Sequence, residues 1–157
     1  MADQRYLIAL GSNIRHHRHG RPEQVLRAAC AVLAGEGIAV ERVSPILRSA
    51  PVGPSRRQYA NAAAIVSTAM APDGLLGALQ AIEARFGRKR RGRRWSARVL
   101  DLDIVLWDGG AFASEDLVVP HRLFRQRAFV LRPAVAIAPD WRDPITGLTI
   151  RQLHARL

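Results

Sequence analysis

The chain has 157 residues, 48% of them apolar, and a formal net charge of +11. That length carries one sizeable core, that apolar share excludes a disordered chain, and the apolar runs are too short to cross a bilayer. The lone cysteine, Cys30, excludes an internal disulfide framework and a cysteine zinc site, and the first residues lack the layout of a secretory leader, so a cytoplasmic protein without a membrane partner is expected.

Arg5 to Leu10 reads as a short apolar strand that ends in the turn Gly11-Ser12-Asn13. His16, His17 and His19 follow among arginines. Their spacing fits no tetrahedral metal site, and a solvated loop is expected. Pro22 opens a helix whose apolar positions are Val25, Leu26, Ala29, Val32 and Leu33, with Gly35 and Gly37 at its end. Ile38 to Leu47 alternates as a second strand. A loop rich in turn residues then runs through Ser49, Pro51, Gly53 and Pro54, and Tyr59 and Asn61 lie where it enters a third strand, Ala62 to Thr68.

Pro72 opens a second helix with an apolar stripe of Leu75, Leu76, Leu79, Ile82 and Phe86, and Gly87 stops it. Gln80 and Glu83 share another side of that helix. From Arg85 to Arg98 there are eight cations and no acid, so one segment carries most of the net charge and points to an anionic partner. Val99 to Trp107 follows as a buried strand. Leu117 to Val119 is a short extra strand, Pro120 begins a segment that ends in a helix reaching Ala138, and Leu148 to Leu157 forms a last short helix. The main order, strand-helix-strand-strand-helix-strand, predicts an α+β ferredoxin-like βαββαβ sandwich: an antiparallel sheet with helices on one face, plus short C-terminal helices. Without a low-complexity linker or an internal repeat, residues 1–157 are expected to form a single domain.

Asp101 and Asp103 interrupt the Val99–Trp107 strand and share one face of it, with Leu100, Leu102, Ile104 and Leu106 on the other. Two like charges this close require solvent, an arginine or a cation between them, and magnesium suits two hard carboxylates. A pair of metals with arginines nearby is the machinery of phosphoryl-type transfer. Neither a G-x-x-x-x-G-K-[ST] loop nor a G-x-S-x-G elbow is present. Two other readings compete: a different two-metal nucleotidyltransferase, which needs a third carboxylate on a neighbouring strand, and a basic ferredoxin-like domain that binds RNA through aromatics on its sheet.

Several separated motifs stand in a familiar order: Gly11-Ser12-Asn13; Ser49-Ala50-Pro51-Val52-Gly53; Gln58-Tyr59-Ala60-Asn61; Gln80-Ala81-Ile82-Glu83; Arg94-Trp95-Ser96-Ala97-Arg98-Val99-Leu100-Asp101-Leu102-Asp103; Val119-Pro120-His121; and Arg127-Ala128-Phe129. Together they resemble the 6-hydroxymethyl-7,8-dihydropterin pyrophosphokinases, and the resemblance covers nearly the whole chain. It implies transfer of pyrophosphate from ATP to the hydroxymethyl group of the dihydropterin, with release of AMP, in folate biosynthesis. Asp101 and Asp103 match the ligands of two Mg2+ ions, and Arg88 and Arg98 match the catalytic arginines. Gln80, Glu83, Arg90, Arg91, Trp95, Ile104, His121 and Arg127 match ATP-side positions. Ser49, Ala50, Val52, Tyr59, Asn61, Trp95 and Phe129 match the pterin pocket, with Tyr59 and Phe129 sandwiching the ring and Asn61 reading its amide-like edge. The partners implied are small molecules only, with no nucleic acid, and the family precedent is a monomer. Ser96-Ala97 in place of Gly-Pro, Val99 in place of Thr, and Asp116, Val118 and Arg122 depart from the pattern around the nucleotide.

Overall fold

The computed structural model describes residues 3–13, 16, 18–49, 59–87 and 99–157. Strand β1 (Gln4–Ser12) lies in the middle of a five-stranded sheet, between β4 (Tyr59–Thr68) and β5 (Asp101–Trp107). β2 (Ala39–Val43) and β3 (Leu47–Ser49) both pair with β4, so the sheet runs β2-β4-β1-β5, and every pairing is antiparallel. Helices α1 (Pro22–Gly35) and α2 (Pro72–Arg85) are the two crossovers of the ferredoxin-like fold. A small hairpin of β6 (Phe112–Ala113) and β7 (Val118–Val119), a 3-10 turn (Phe124–Gln126), and helices α3 (Ala128–Ile137) and α4 (Ile150–Ala155) complete it.

The sheet separates two apolar clusters. Tyr6, Ile8, Leu10, Ala62, Ala64, Leu102 and Ile104 pack against Val25, Leu26 and Leu33 of α1 and Leu75, Leu79 and Ile82 of α2. On the other face, Leu7, Ala63, Ile65, Val105 and Leu106 pack against Leu131, Ala134 and Ile137 of α3 and Ile150 and Leu153 of α4. Helices therefore cover both faces of the sheet and not one. The helix that ends near Ala138 and the last short helix supply the second layer.

Two strand details also differ from the expectation. The Ile38–Leu47 stretch is two strands, because Pro45 has no backbone N–H for a ladder and Ser44 turns inward to accept the Ala63 N–H through its hydroxyl at 2.9 Å. The register of β5 against β1 shifts so that Leu7 faces Leu106 while Ile8 faces Ile104, leaving Val105 as a bulge. Leu106 therefore joins the α3 side, together with the Asp101–Asp103 face, and not the side of Leu102 and Ile104.

α1 starts at Pro22, with the Gln24 side chain reaching back to accept the Arg21 N–H at 2.9 Å. Gly20 allows this approach: a Cβ there would lie 2.1 Å from the Gln24 Oε1, and its φ of +89° is strained for any other residue. His16 and His19 of the preceding turn are half-buried and pack on Phe86, with ring centroids 5.9 and 5.0 Å from it, so they wedge the end of α2 and are not a solvated loop.

Candidate active site

The antiparallel register sets the site. Asn61 on β4 faces Gly11 on β1, and Gly11 faces Asp101 on β5. One row further in, Ala63, Ala9 and Asp103 line up in the same way. Because alternate residues share a face, Tyr59, Asn61, Asp101 and Asp103 all lie on the α3 side, at the end of the sheet. The residues between them are Gly11 and Ala9, so the floor is low and a flat molecule has room above it. Gly11 has a particular reason to be glycine, since a Cβ there would stand 3.1 Å from the Asn61 Oδ1. Among the described residues the Asn61 carboxamide has no hydrogen-bond partner, which leaves its donor and acceptor for a ligand. Gly11→Ala should displace that carboxamide, raising the dihydropterin KM by roughly tenfold with little change in the ATP KM. Steady-state kinetics with each substrate varied in turn checks this.

The N-terminal end of α3 borders the same region. Phe129 is 43% exposed, so its ring is not core packing, and the Arg127 guanidinium lies 5.5 Å from its centroid. His121 leads into this segment, with its N–H bonded to the Val105 carbonyl at 3.1 Å. Its Nδ1 accepts the Leu123 N–H at 3.1 Å, which places the ring proton on Nε2. Burial and the nearby Arg127 lower its pKa while Asp101 acts in the opposite direction, a balance that favours the neutral ring. His121 and Arg127 are thus brought near Asp101, 20 and 26 residues from it in sequence.

Gln80 is half-buried on α2. Glu83, on the last turn of α2, is only 6% exposed and accepts the Leu102 N–H at 2.8 Å. The Ile104 side chain is 3% exposed and belongs to the core against α1 and α2, so only its backbone can face a ligand. Arg88, Arg90, Arg91, Trp95, Arg98, Ala50 and Val52 lie outside the described residues, and Ser49 is placed by its backbone pairing with Tyr59. Of the departures around the nucleotide, Val118 and Arg122 line a separate groove of about 450 Å³, together with Phe112, Pro120 and Arg125. None of the anticipated site residues lines it.

The family model for 7,8-dihydro-6-hydroxymethylpterin-pyrophosphokinase matches residues 7–139. The chain belongs to this family. It is 41% identical over 155 residues to the 2-amino-4-hydroxy-6-hydroxymethyldihydropteridine pyrophosphokinase of Methylorubrum extorquens, covering 98% of this chain and 93% of the relative. It is 42% identical over 142 residues to the enzyme of the same name from Pseudomonas aeruginosa, covering 90% and 85% of the two chains. The fold matches the crystal structure of Plasmodium falciparum HPPK-DHPS with a TM-score of 0.74 at 12% identity, covering 99% of this chain and 41% of that longer one. The protein is therefore a pyrophosphokinase of ferredoxin-like fold. No described helix is long and apolar enough to cross a membrane.

Proposed function

We propose that this chain acts as a single monomeric domain that transfers the terminal pyrophosphoryl group of ATP to the hydroxymethyl oxygen of 6-hydroxymethyl-7,8-dihydropterin, in folate biosynthesis. The acceptor oxygen attacks the β-phosphorus, the bond from that phosphorus to the α,β-bridging oxygen breaks, AMP leaves, and the hydroxyl proton passes to solvent. One observation carries this reading. The register sets the Asn61 carboxamide and a pair of carboxylates, Asp101 and Asp103, on one face with only Gly11 and Ala9 between, which supports a pterin edge held beside a metal-bound triphosphate.

Asp101 and Asp103 are hard oxygen donors that fit Mg2+. No group of three or more His, Cys, Asp or Glu side chains converges among the described residues, which leaves the remaining positions to phosphate oxygens and water. Two Mg2+ ions held there would neutralise charge on the triphosphate. The chain's own groups bind and orient. Tyr59 and Phe129 stack the pterin, Asn61 and the Ser49–Val52 backbone read its edge, and Arg127 and the neutral His121 donate to phosphate oxygens. Arg88 and Arg98 stabilise the transferring group, and Gln80, Arg90, Arg91 and Trp95 take the nucleotide. The competing readings find less support. The positions on β1 that face Asp101 and Asp103 are Gly11 and Ala9, not a third carboxylate. An RNA-binding sheet needs an open face, and helices occupy both.

Phe129→Ala tests the pterin pocket. Loss of one stacking face should raise the dihydropterin KM about tenfold or more, with the ATP KM within about twofold of wild type. An unchanged dihydropterin KM would remove Phe129 from the pocket.

A further inference from the structure

Glu83 sits on the last turn of α2, on the opposite face of the sheet from the Asp pair, and its burial is unusual for a carboxylate on a helix. Its Oε2 accepts the N–H of Leu102, the residue between Asp101 and Asp103. Among the described residues β5 is an edge strand of the five-stranded sheet, with β1 as its one strand neighbour there. Along the outer edge the strand is fastened at two points: Glu83 takes the Leu102 N–H, and His121 gives its N–H to the Val105 carbonyl. The second fastening also fixes His121 beside Asp101. Leu102 itself is buried in the core against α2, so helix and strand are joined by side-chain packing and by this hydrogen bond.

We propose that Glu83 is a positioning residue for the metal site: it contacts no nucleotide and instead fixes the pitch of the Asp101-Leu102-Asp103 backbone, so that the two carboxylates present a set separation to divalent cations. The proposal rests on the reading of Asp101 and Asp103 as the metal ligands. The Glu83 carboxylate accepts the N–H of Leu102, the residue between those two ligands. Any change in its reach moves both of them together, whereas a nucleotide contact would act on ATP and leave the strand alone. Acceptor geometry, and not the negative charge, is what the role requires.

Three variants separate these possibilities. Glu83→Gln keeps an acceptor of the same reach without the charge, Glu83→Asp keeps the charge but withdraws it by one methylene, and Glu83→Ala removes both. Mn2+ titration of each protein with a non-hydrolysable ATP analogue, together with hydrogen exchange at the Leu102 amide, reads the site. In Glu83→Ala and Glu83→Asp the Leu102 amide should exchange at least tenfold faster, Mn2+ half-saturation should rise tenfold or more, and kcat should fall with it, while the dihydropterin KM stays within threefold of wild type. Glu83→Gln should recover all three quantities to within about threefold. A raised KM for ATP with unchanged Mn2+ titration and unchanged Leu102 exchange would overturn the proposal in favour of a nucleotide contact. Glu83→Gln behaving like Glu83→Ala in Mn2+ titration would overturn it in favour of a charge effect. If Glu83→Ala does not fold, the Asp and Gln pair still decides between them. Leu102 exchange is read without turnover, so a wild-type protein that forms no AMP overturns the pyrophosphokinase reading while the Glu83–Leu102 bond is still tested.

Discussion

Replacing Asp103 with alanine is expected to lower AMP formation about a thousandfold or more, equivalent to ~4 kcal/mol of barrier, while leaving the protein folded. The two effects separate because of where the residue sits. Asp103 is half-buried on the α3 side of β5, opposite Ala9, and belongs to neither apolar cluster. Its side chain fills no core volume, and the backbone ladder to β1 does not depend on it. Stability should therefore stay within about 1 kcal/mol of wild type, the scale of a partly exposed ionic contact. Turnover should not survive, because the triphosphate brings several negative charges to a site where Asp101 alone would remain to hold the cations that offset them. Asp103→Asn should fail almost as badly, since a neutral amide keeps the shape and loses the charge. Chromatographic assay of AMP and thermal unfolding in metal-free buffer check the two halves together. A variant that retains a tenth of wild-type turnover would show that the second carboxylate is not a metal ligand.

The largest effect on stability is expected at the other end of the chain. Asp143 is fully buried and takes two hydrogen bonds from Arg125, at 2.5 and 2.9 Å, one from the Thr146 hydroxyl at 2.6 Å and one from the Ile145 N–H at 3.0 Å. Burial pushes its carboxyl up, but the Arg125 bonds and the other donors outweigh it and bring the pKa down to about 2 from 3.8. A carboxylate whose pKa is lower in the folded state stabilises that state at any pH above its ordinary value. That contribution, about 2 kcal/mol, is lost as the pH falls from near 4 through about 2. Asp143→Ala goes further, because it also leaves Arg125, Thr146 and the Ile145 amide without their acceptor. A loss of about 3 kcal/mol is expected, lowering Tm by roughly 6–12 °C for a chain of this size. Asp143 and Arg125 tie the turn before α4 to the segment before α3, so the second apolar layer should loosen first. Calorimetry at pH 7 and pH 2.5 measures this: the gap between wild type and variant should shrink in acid, and a gap independent of pH would contradict the assignment.

The chain shows why some of this arrangement is legible in sequence and some is not. Element types follow from local pattern. The stripe of Leu75, Leu79 and Ile82 marks α2, and the bounded apolar run ending at Trp107 marks β5. Local pattern is also enough to put Asp101 and Asp103 on one face, because that depends only on the two-residue period of a strand. What lies outside local pattern is who stands opposite whom. The Val105 bulge moves Leu106 to the other face, and nothing in Val105 itself announces it. The alignment of Asn61, Gly11 and Asp101 joins residues from three distant parts of the chain. Gly11 reads as a turn residue from sequence, yet it sits inside β1 and is required by the Asn61 carboxamide beside it. Glu83 reads from the motif as an ATP-side position; its bond to Leu102 depends on the outer edge of β5, which exists only once the sheet is assembled. The second helical layer was hidden in a similar way: Leu131, Ala134 and Ile137 identify an apolar helix, but not the side of the sheet it covers.

The measurement that bears most directly on the account is the nucleotide product formed from ATP and 6-hydroxymethyl-7,8-dihydropterin in the presence of Mg2+, with wild type and Asp101→Ala side by side. The account predicts AMP and pterin pyrophosphate in equal amounts, only when both substrates and Mg2+ are present, and loss of both products in the variant. Formation of ADP, or unconsumed ATP with a well-folded wild-type protein, would contradict it.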